Sequence, residues 1–286
     1  MSAVEDRASW PGTVECFGGR QVHWVHQPGD PPAVVLLGGC GVPSYAWDSV
    51  VLRLTSRELA RLDRPGLGGT PWPGTLPQLA DEVATLADLI ARLGRPAIVV
   101  GHSMGGLHAE ALARQHPASV AGLVLVDGSV ETDPKPPGSG AGWLATARAV
   151  HSLFAVPPLR PLGPLADRLI TAAQSRRRVF APMPQVAKRA YRSRDAVASV
   201  VAEQAAYAAQ VWDLAAVRST YPWPGIPVVV LTAAGGGGAE GVRDQARLAE
   251  LLGGSQVVAE DSQHLIMIDR PDLVVEAIQT VSREAS

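Results

Sequence analysis

Residues 97–117, AIVVGHSMGGLHAEALARQHP, restrict the fold of this chain more than any other stretch. The apolar run AIVV reads as a strand buried on both faces, and the segment from Leu107 reads as a helix ended by Pro117. Only Gly-His-Ser-Met-Gly-Gly separates them. A strand-to-helix turn this short is sharp and strained, and it lifts one hydroxyl, that of Ser103, clear of the sheet. Gly101 and Gly105 have a mechanical reason, because a Cβ at either would meet backbone passing close to the serine. The helix start also points free N–H groups and the positive end of its dipole at the same place, where a forming anion would be stabilised.

The rest of the chain must supply the sheet in which such a turn sits. Its 286 residues suffice for one large α/β domain or two small ones, and a 47% hydrophobic fraction is ample for a core. With 25 Lys and Arg against 27 Asp and Glu, no global field favours nucleic acid or an anionic membrane. A small-molecule partner is expected; oligomeric state is not readable. The start, MSAVEDRASWPG, lacks the basic and apolar runs of a signal peptide, and no apolar stretch approaches a membrane span. Cys16 and Cys40 lack the paired spacing of a metal site, so neither a metal nor another cofactor is expected. A soluble, cytoplasmic setting with both thiols reduced fits these features.

In chain order, Val14–Cys16 and Gln21–Val25 read as a hairpin around Gly18-Gly19, and Ala33–Leu37 as a fully buried strand. That strand runs into Gly38-Gly39-Cys40-Gly41, either an ordinary turn or a source of uncovered backbone N–H donors. Tyr45–Leu54 reads as a helix. Asp63-Arg64-Pro65-Gly66-Leu67-Gly68-Gly69-Thr70 can be neither helix nor central strand. Thr75 with Gln78 has capping-box spacing and predicts a helix from Thr75, with Leu79, Val83, Leu86, Ile90 and Leu93 on one face and Gly94 as its stop. Val120–Val126 reads as a strand ending at Asp127. The alternation predicts right-handed crossovers and a mostly parallel sheet, with ligands beyond the carboxyl ends of its strands. Gly39, Ser103 and Asp127 all fall there.

The alternation breaks between residues 129 and 224, a proline-rich and then helical stretch that predicts a cap inserted in a core formed by 1–128 and 225–286. Its longest predicted helix is Asp195–Val217. Within it, residues 160–194 hold nine basic residues (Arg160, Arg168, Arg176, Arg177, Arg178, Lys188, Arg189, Arg192 and Arg194) against one acidic residue, Asp167. They read as a solvated face or as an attraction for anions. The sheet resumes at Ile226–Leu231, followed by glycines 235–238 read as a loop, a helix Arg243–Leu252, a strand Gln256–Ala259, and a loop carrying His264 before the final helix.

The segments LLGGCG, DRPGLGGT, GHSMGG, LVLVDGS and DSQHL followed by RPDLVVEAI are spread along nearly the whole chain outside the insertion, and together they resemble the α/β-hydrolase superfamily. The resemblance implies a Ser–acid–His triad with Ser103 as nucleophile and His264 as general base. The other histidines are worse placed: His23 and His26 flank an early strand, His102 is in the turn, His108 and His116 are on the helix behind it, and His151 is in the insertion. The superfamily's usual acid would follow Ile226–Leu231, but glycines stand there. In a subset of the superfamily the acid follows the strand after the nucleophile helix, which is Asp127 here; alternatively Glu240 or Asp244 reaches back, or the triad is degenerate. Asp127 could equally be a strand-end cap. The resemblance further implies an oxyanion hole from the backbone N–H groups of Met104 and Cys40, with Gly38 replacing the usual histidine and loosening the turn. Cys40 itself is a redox-sensitive thiol or a small packing residue. The implied activity is cofactor-independent hydrolysis of an ester or related acyl bond of a small, partly apolar substrate through an acyl-enzyme. A lyase, a perhydrolase-like enzyme and a ligand-binding protein remain open on the same residues.

Overall fold

The computed structural model describes residues 12–131, 134–177 and 183–285. Residues 1–11 of the leader reading, and Arg178 of the basic cluster, lie outside these. Eight strands form one sheet in the order β1-β2-β4-β3-β5-β6-β7-β8. β1 (Thr13–Phe17), β2 (Arg20–Gln27) and β4 (Arg57–Asp63) meet in antiparallel pairs, whereas β3 (Asp30–Leu37), β4, β5 (Ala97–His102), β6 (Val120–Val126), β7 (Val228–Ala233) and β8 (Ser255–Ala259) run parallel. The expected α/β architecture with a mostly parallel sheet is therefore present.

Alternation along the central strands divides the core into two layers. Val35, Leu37, Val99, Leu123, Leu125 and Val230 face α2 (Leu79–Leu93), α3 (Met104–Gln115) and α8 (Ala234–Leu251). Val34, Leu36, Ile98, Val100, Val124 and Leu231 pack instead with α1 (Asp48–Val51), α9 (Ile266–Asp269) and α10 (Pro271–Glu284). Between β6 and β7 the chain forms α4 (Ala141–Leu153), α5 (Leu162–Gln174), α6 (Gln185–Tyr191) and α7 (Arg194–Thr220). No helix among the described residues is long and apolar enough to cross a membrane.

Several local expectations need correction. Tyr45–Leu54 is not one helix but a 3₁₀ turn, Ser44–Trp47, leading into the four-residue α1. The helix predicted from Thr75 begins at Leu79, and Gln78 is its N-cap without a side-chain cap bond. Strand β4 carries no apolar alternation in RELARLD, because its charged residues are buried by partners: Glu58 faces His26 and Arg95, and Arg61 pairs with Asp48. The glycines after residue 234 are not a loop. They form the first turn of α8, which is kinked where Gly238 has φ 59° and ψ −157°.

His108 on α3 is buried, and its Nε2–H donates to Gln210 Oε1 of α7 at 2.7 Å, while Gln210 Nε2 donates to Pro77 O at 3.2 Å. Burial holds the imidazole down at about 4. The unfolded chain therefore takes up a proton below the ordinary histidine value of about 6.5 that the folded chain refuses, so this contribution is full above pH 6.5 and is lost as pH falls towards 4. Asp167, raised to about 6 by burial, acts in the opposite sense, losing stability as pH rises from about 4 to 6. A His108→Gln variant is expected to show about 2 kcal/mol less loss of unfolding free energy between pH 6.5 and 4.5 than the parent. Urea titrations across that range measure it, and equal slopes would contradict the assignment.

Candidate active site

β5 ends at His102, and α3 begins at Met104, so Ser103 alone makes the turn, at φ 50° and ψ −122°. Such a conformation is strained for a residue with a side chain and persists only when its surroundings enforce it. Here Ser103 N–H donates to Val126 O, and Ser103 O accepts from Gly106 and Ser129. A Cβ on Gly101 would come within 2.6 Å of Gly105 O, and one on Gly105 within 2.7 Å of Gly38 O. Met104 occupies the first helical position, where its N–H has no partner within the helix.

Asp127 follows β6 with φ 44°, the second left-handed non-glycine residue. Its backbone N–H donates to Leu231 O at 2.7 Å, and its Oδ1 accepts the Ala233 N–H at 2.9 Å. Both bonds fix the carboxylate at the carboxyl end of the sheet. Its Oδ2 lies 2.6 Å from Nδ1 of His264, which comes from the loop after β8. With Nδ1–H donating to this carboxylate, Nε2 of His264 is left as the acceptor. Neither alternative acid approaches: Glu240 is exposed on α8, and Asp244 accepts from Arg247. The glycines that replace the usual acid lie against this pair. A Cβ on Gly236 would come within 3.3 Å of Asp127 Oδ2, and one on Gly235 within 2.5 Å of Gln263.

Ser103, Asp127 and His264 line one cavity of about 500 Å³, together with Ser129, Gly236 and Gln245. Among the described residues no hydrogen bond joins the Ser103 hydroxyl to His264. Catalytic contacts of this kind are commonly loose without substrate and tighten around it. A second cavity of about 420 Å³ lies on the side of Cys40 and Leu265 and is mainly apolar, lined among others by Tyr45, Phe154, Val197 and Val201. Gln174 at the end of α5 borders both cavities, and its carbonyl accepts the Leu265 N–H, tying the insertion to the histidine loop. Arg168 and Arg177 line the apolar cavity, whereas Arg160, Lys188, Arg189, Arg192 and Arg194 are exposed, and Arg176 lies 3.8 Å from Asp261.

Sequence reasoning gave His102 no role. Its buried ring accepts the Gly39 N–H on Nδ1 at 3.2 Å, so Nε2 carries the proton and donates to the carbonyl of His264 at 3.1 Å. Burial, and then the charge His264 can carry, push His102 well below the ordinary histidine range. A neutral imidazole therefore braces the backbone of His264, its ring centroid 4.6 Å from that of His264. Cys16 and Cys40 are free thiols. The Cys40 thiol is raised to about 12 by burial and then by the charge of Glu203, which makes it a protonated packing group rather than a reactive one.

A sequence model of the Alpha/beta hydrolase family matches residues 34–277. A pimeloyl-[acyl-carrier protein] methyl ester esterase of Aeromonas hydrophila subsp. hydrophila is 37% identical over 110 residues, covering 37% of this chain and 41% of that protein. Esterase Rv0045c of Mycobacterium tuberculosis is 42% identical over 103 residues, 35% of this chain and 34% of that protein. The chain thus matches less than half the length of these curated relatives. Among solved structures, Cfl2 of Burkholderia cenocepacia superposes with a TM-score of 0.74 at 18% identity, covering 96% of this chain and 98% of that one. The Cif epoxide hydrolase of Acinetobacter nosocomialis gives 0.72 at 15% identity, covering 94% and 88%. Likeness at such identities concerns the fold alone. Because the family match runs through most of the chain and the fold agrees with it, this protein belongs to the α/β-hydrolase family.

Proposed function

We propose that this protein is a serine ester hydrolase, with Ser103 as nucleophile, His264 as general base and Asp127 as the acid that orients it. The observation that carries the reading is the 2.6 Å bond between His264 Nδ1 and Asp127 Oδ2, beside a serine held at positive φ in the same cavity. Ser103 Oγ attacks the ester carbonyl carbon as its proton passes to His264 Nε2, and Asp127 stabilises the resulting imidazolium. The tetrahedral oxyanion meets the N–H groups of Met104 and Cys40. Collapse expels the alcohol, which takes the proton from His264. A water molecule then attacks the acyl-enzyme with His264 again as base, releasing the acid and restoring the serine. No cofactor takes part in these steps. The esterase relatives support an ester as substrate, and the curated proteins that the chain resembles include esterases and a lipase.

Residues 129–224 act in this reading as a cap over a core of 1–128 and 225–286. The apolar cavity beside Cys40 takes the hydrocarbon part of the substrate, and the more polar cavity around Ser103 takes the remainder. The first test is chemical: a fluorophosphonate probe should label the wild-type protein at Ser103 and leave Ser103→Ala unlabelled. Labelling of that variant would remove Ser103 as nucleophile.

The cavity assignment has its own test. Val201→Phe places a larger ring in the apolar space, and the kcat/KM for p-nitrophenyl esters of eight or more carbons is expected to drop about tenfold or more, with acetate nearly unaffected. A uniform loss across chain lengths would place the hydrocarbon elsewhere.

A further inference from the structure

Four residues after β3, Gly39 to Val42, form the turn that offers the second oxyanion donor, and three of its four backbone N–H groups are already engaged. Gly39 N–H donates to His102 Nδ1, Gly41 N–H to Glu203 Oε2 at 2.6 Å, and Val42 N–H to Gly39 O at 3.0 Å. Tyr191 Oη–H donates to Gly41 O at 2.6 Å. Among the described residues, the N–H of Cys40 is the one backbone donor of this turn that has no protein partner. A Cβ on Gly39 would lie 2.7 Å from Ser103 Cβ, so the turn lies against the nucleophile.

The groups that hold the turn are unusual in where they come from. Arg64, just beyond β4, donates Nη1–H to Gly38 O and Nη2–H to Gly39 O, and its Nε–H to Glu203 Oε1 at 2.8 Å. Glu203 lies in the middle of α7, in the insertion, and its other oxygen takes Gly41 N–H. The two side chains are 5% and 2% exposed, so the pair works in a low-dielectric setting where its bonds hold position firmly. The forked guanidinium grips two successive carbonyls, a geometry that lysine cannot reproduce.

We propose that the buried Arg64–Glu203 pair is the positioning device of the oxyanion hole, through which the inserted helix α7 fixes the direction of the Cys40 N–H. This inference rests on the serine hydrolase reading. The pair touches neither substrate nor the reacting atoms, and acts by pinning the backbone on both sides of Cys40. A pair serving only to dock α7 would affect stability without selecting the transition state.

The test compares four proteins. Removing one member alone strands a buried charge, so the main variant is the double substitution Arg64→Met/Glu203→Gln, which removes both charges and the carbonyl grip. Arg64→Lys is the conservative variant. Arg218→Met, which breaks the contact of the same helix with Glu110, controls for weaker docking of α7. For the double variant kcat is expected to fall about tenfold to a hundredfold with KM within about threefold, because backbone oxyanion donors act on the transition state. The inhibition constant of a trifluoromethyl ketone should rise in step with the loss in kcat/KM, and the midpoint of the pH–rate profile should stay in place. Arg64→Lys should fall between, and Arg218→Met should keep kcat. A folded double variant with kcat within about twofold of the parent, or an equal loss in Arg218→Met, overturns the inference. If the double variant does not fold, Arg64→Lys decides by the same kcat and inhibitor measurements. Wild-type protein that neither turns over esters nor labels at Ser103 overturns the hydrolase reading instead, and the inference with it.

Discussion

Ester turnover by Ser103→Ala is expected to fall by about five to six orders of magnitude, with KM little altered and the fold intact. The size follows from the proposed acyl-enzyme mechanism. Without Oγ no acyl-enzyme forms, and what remains is the aid that the oxyanion donors and binding give to attack by water. Alanine removes one hydroxyl at a position whose backbone is held by Val126 O, Gly106 N–H and Ser129 N–H, so the strained turn survives the change. Steady-state kinetics with a p-nitrophenyl ester, alongside thermal unfolding, separate the two effects. A drop of less than about a hundredfold would indicate another nucleophile.

Asp127→Asn is expected to lower kcat by about 10⁴-fold, while Glu240→Gln and Asp244→Asn stay within about twofold of the parent. The carboxylate accepts from both Ala233 N–H and His264 Nδ1–H. An amide can keep one of these only by turning its NH2 towards the other. Where NH2 faces His264, the ring must present Nδ1 as acceptor and place its proton on Nε2, the tautomer that cannot take a proton from Ser103. Glu240 is exposed and Asp244 is engaged by Arg247, so neither offers a substitute. The same ester assay measures all three variants. Full activity in Asp127→Asn with loss in Glu240→Gln would move the acid to α8.

The mostly parallel sheet, the serine turn and the loop bearing His264 could all be anticipated, because each rests on local signals: apolar runs of strand length, glycine punctuation and helix periodicity. Strand β4 could not, since its buried charges Glu58 and Arg61 gain partners only from distant segments. Glycines 235–238 misled in the same way. Their composition signals a loop, but close approach to Asp127 and Gln263, not flexibility, accounts for Gly235 and Gly236. Arg64 and Glu203 carried a faint signal: a lone arginine inside a Pro/Gly loop, and a glutamate on the small-residue face of a long helix. Each implies a buried partner without naming it.

By itself the sequence determined an α/β fold and a serine on a strand-to-helix turn, since period, run length and glycine spacing act over a few residues. It left three carboxylates open as partners of His264 and said nothing of how the turn at Cys40 is held. Only the tertiary structure decided these, because hydrogen bonds require partners within about 3 Å, and residues 127 and 264, or 64 and 203, reach that distance only when the sheet is assembled and the inserted helices are laid across it.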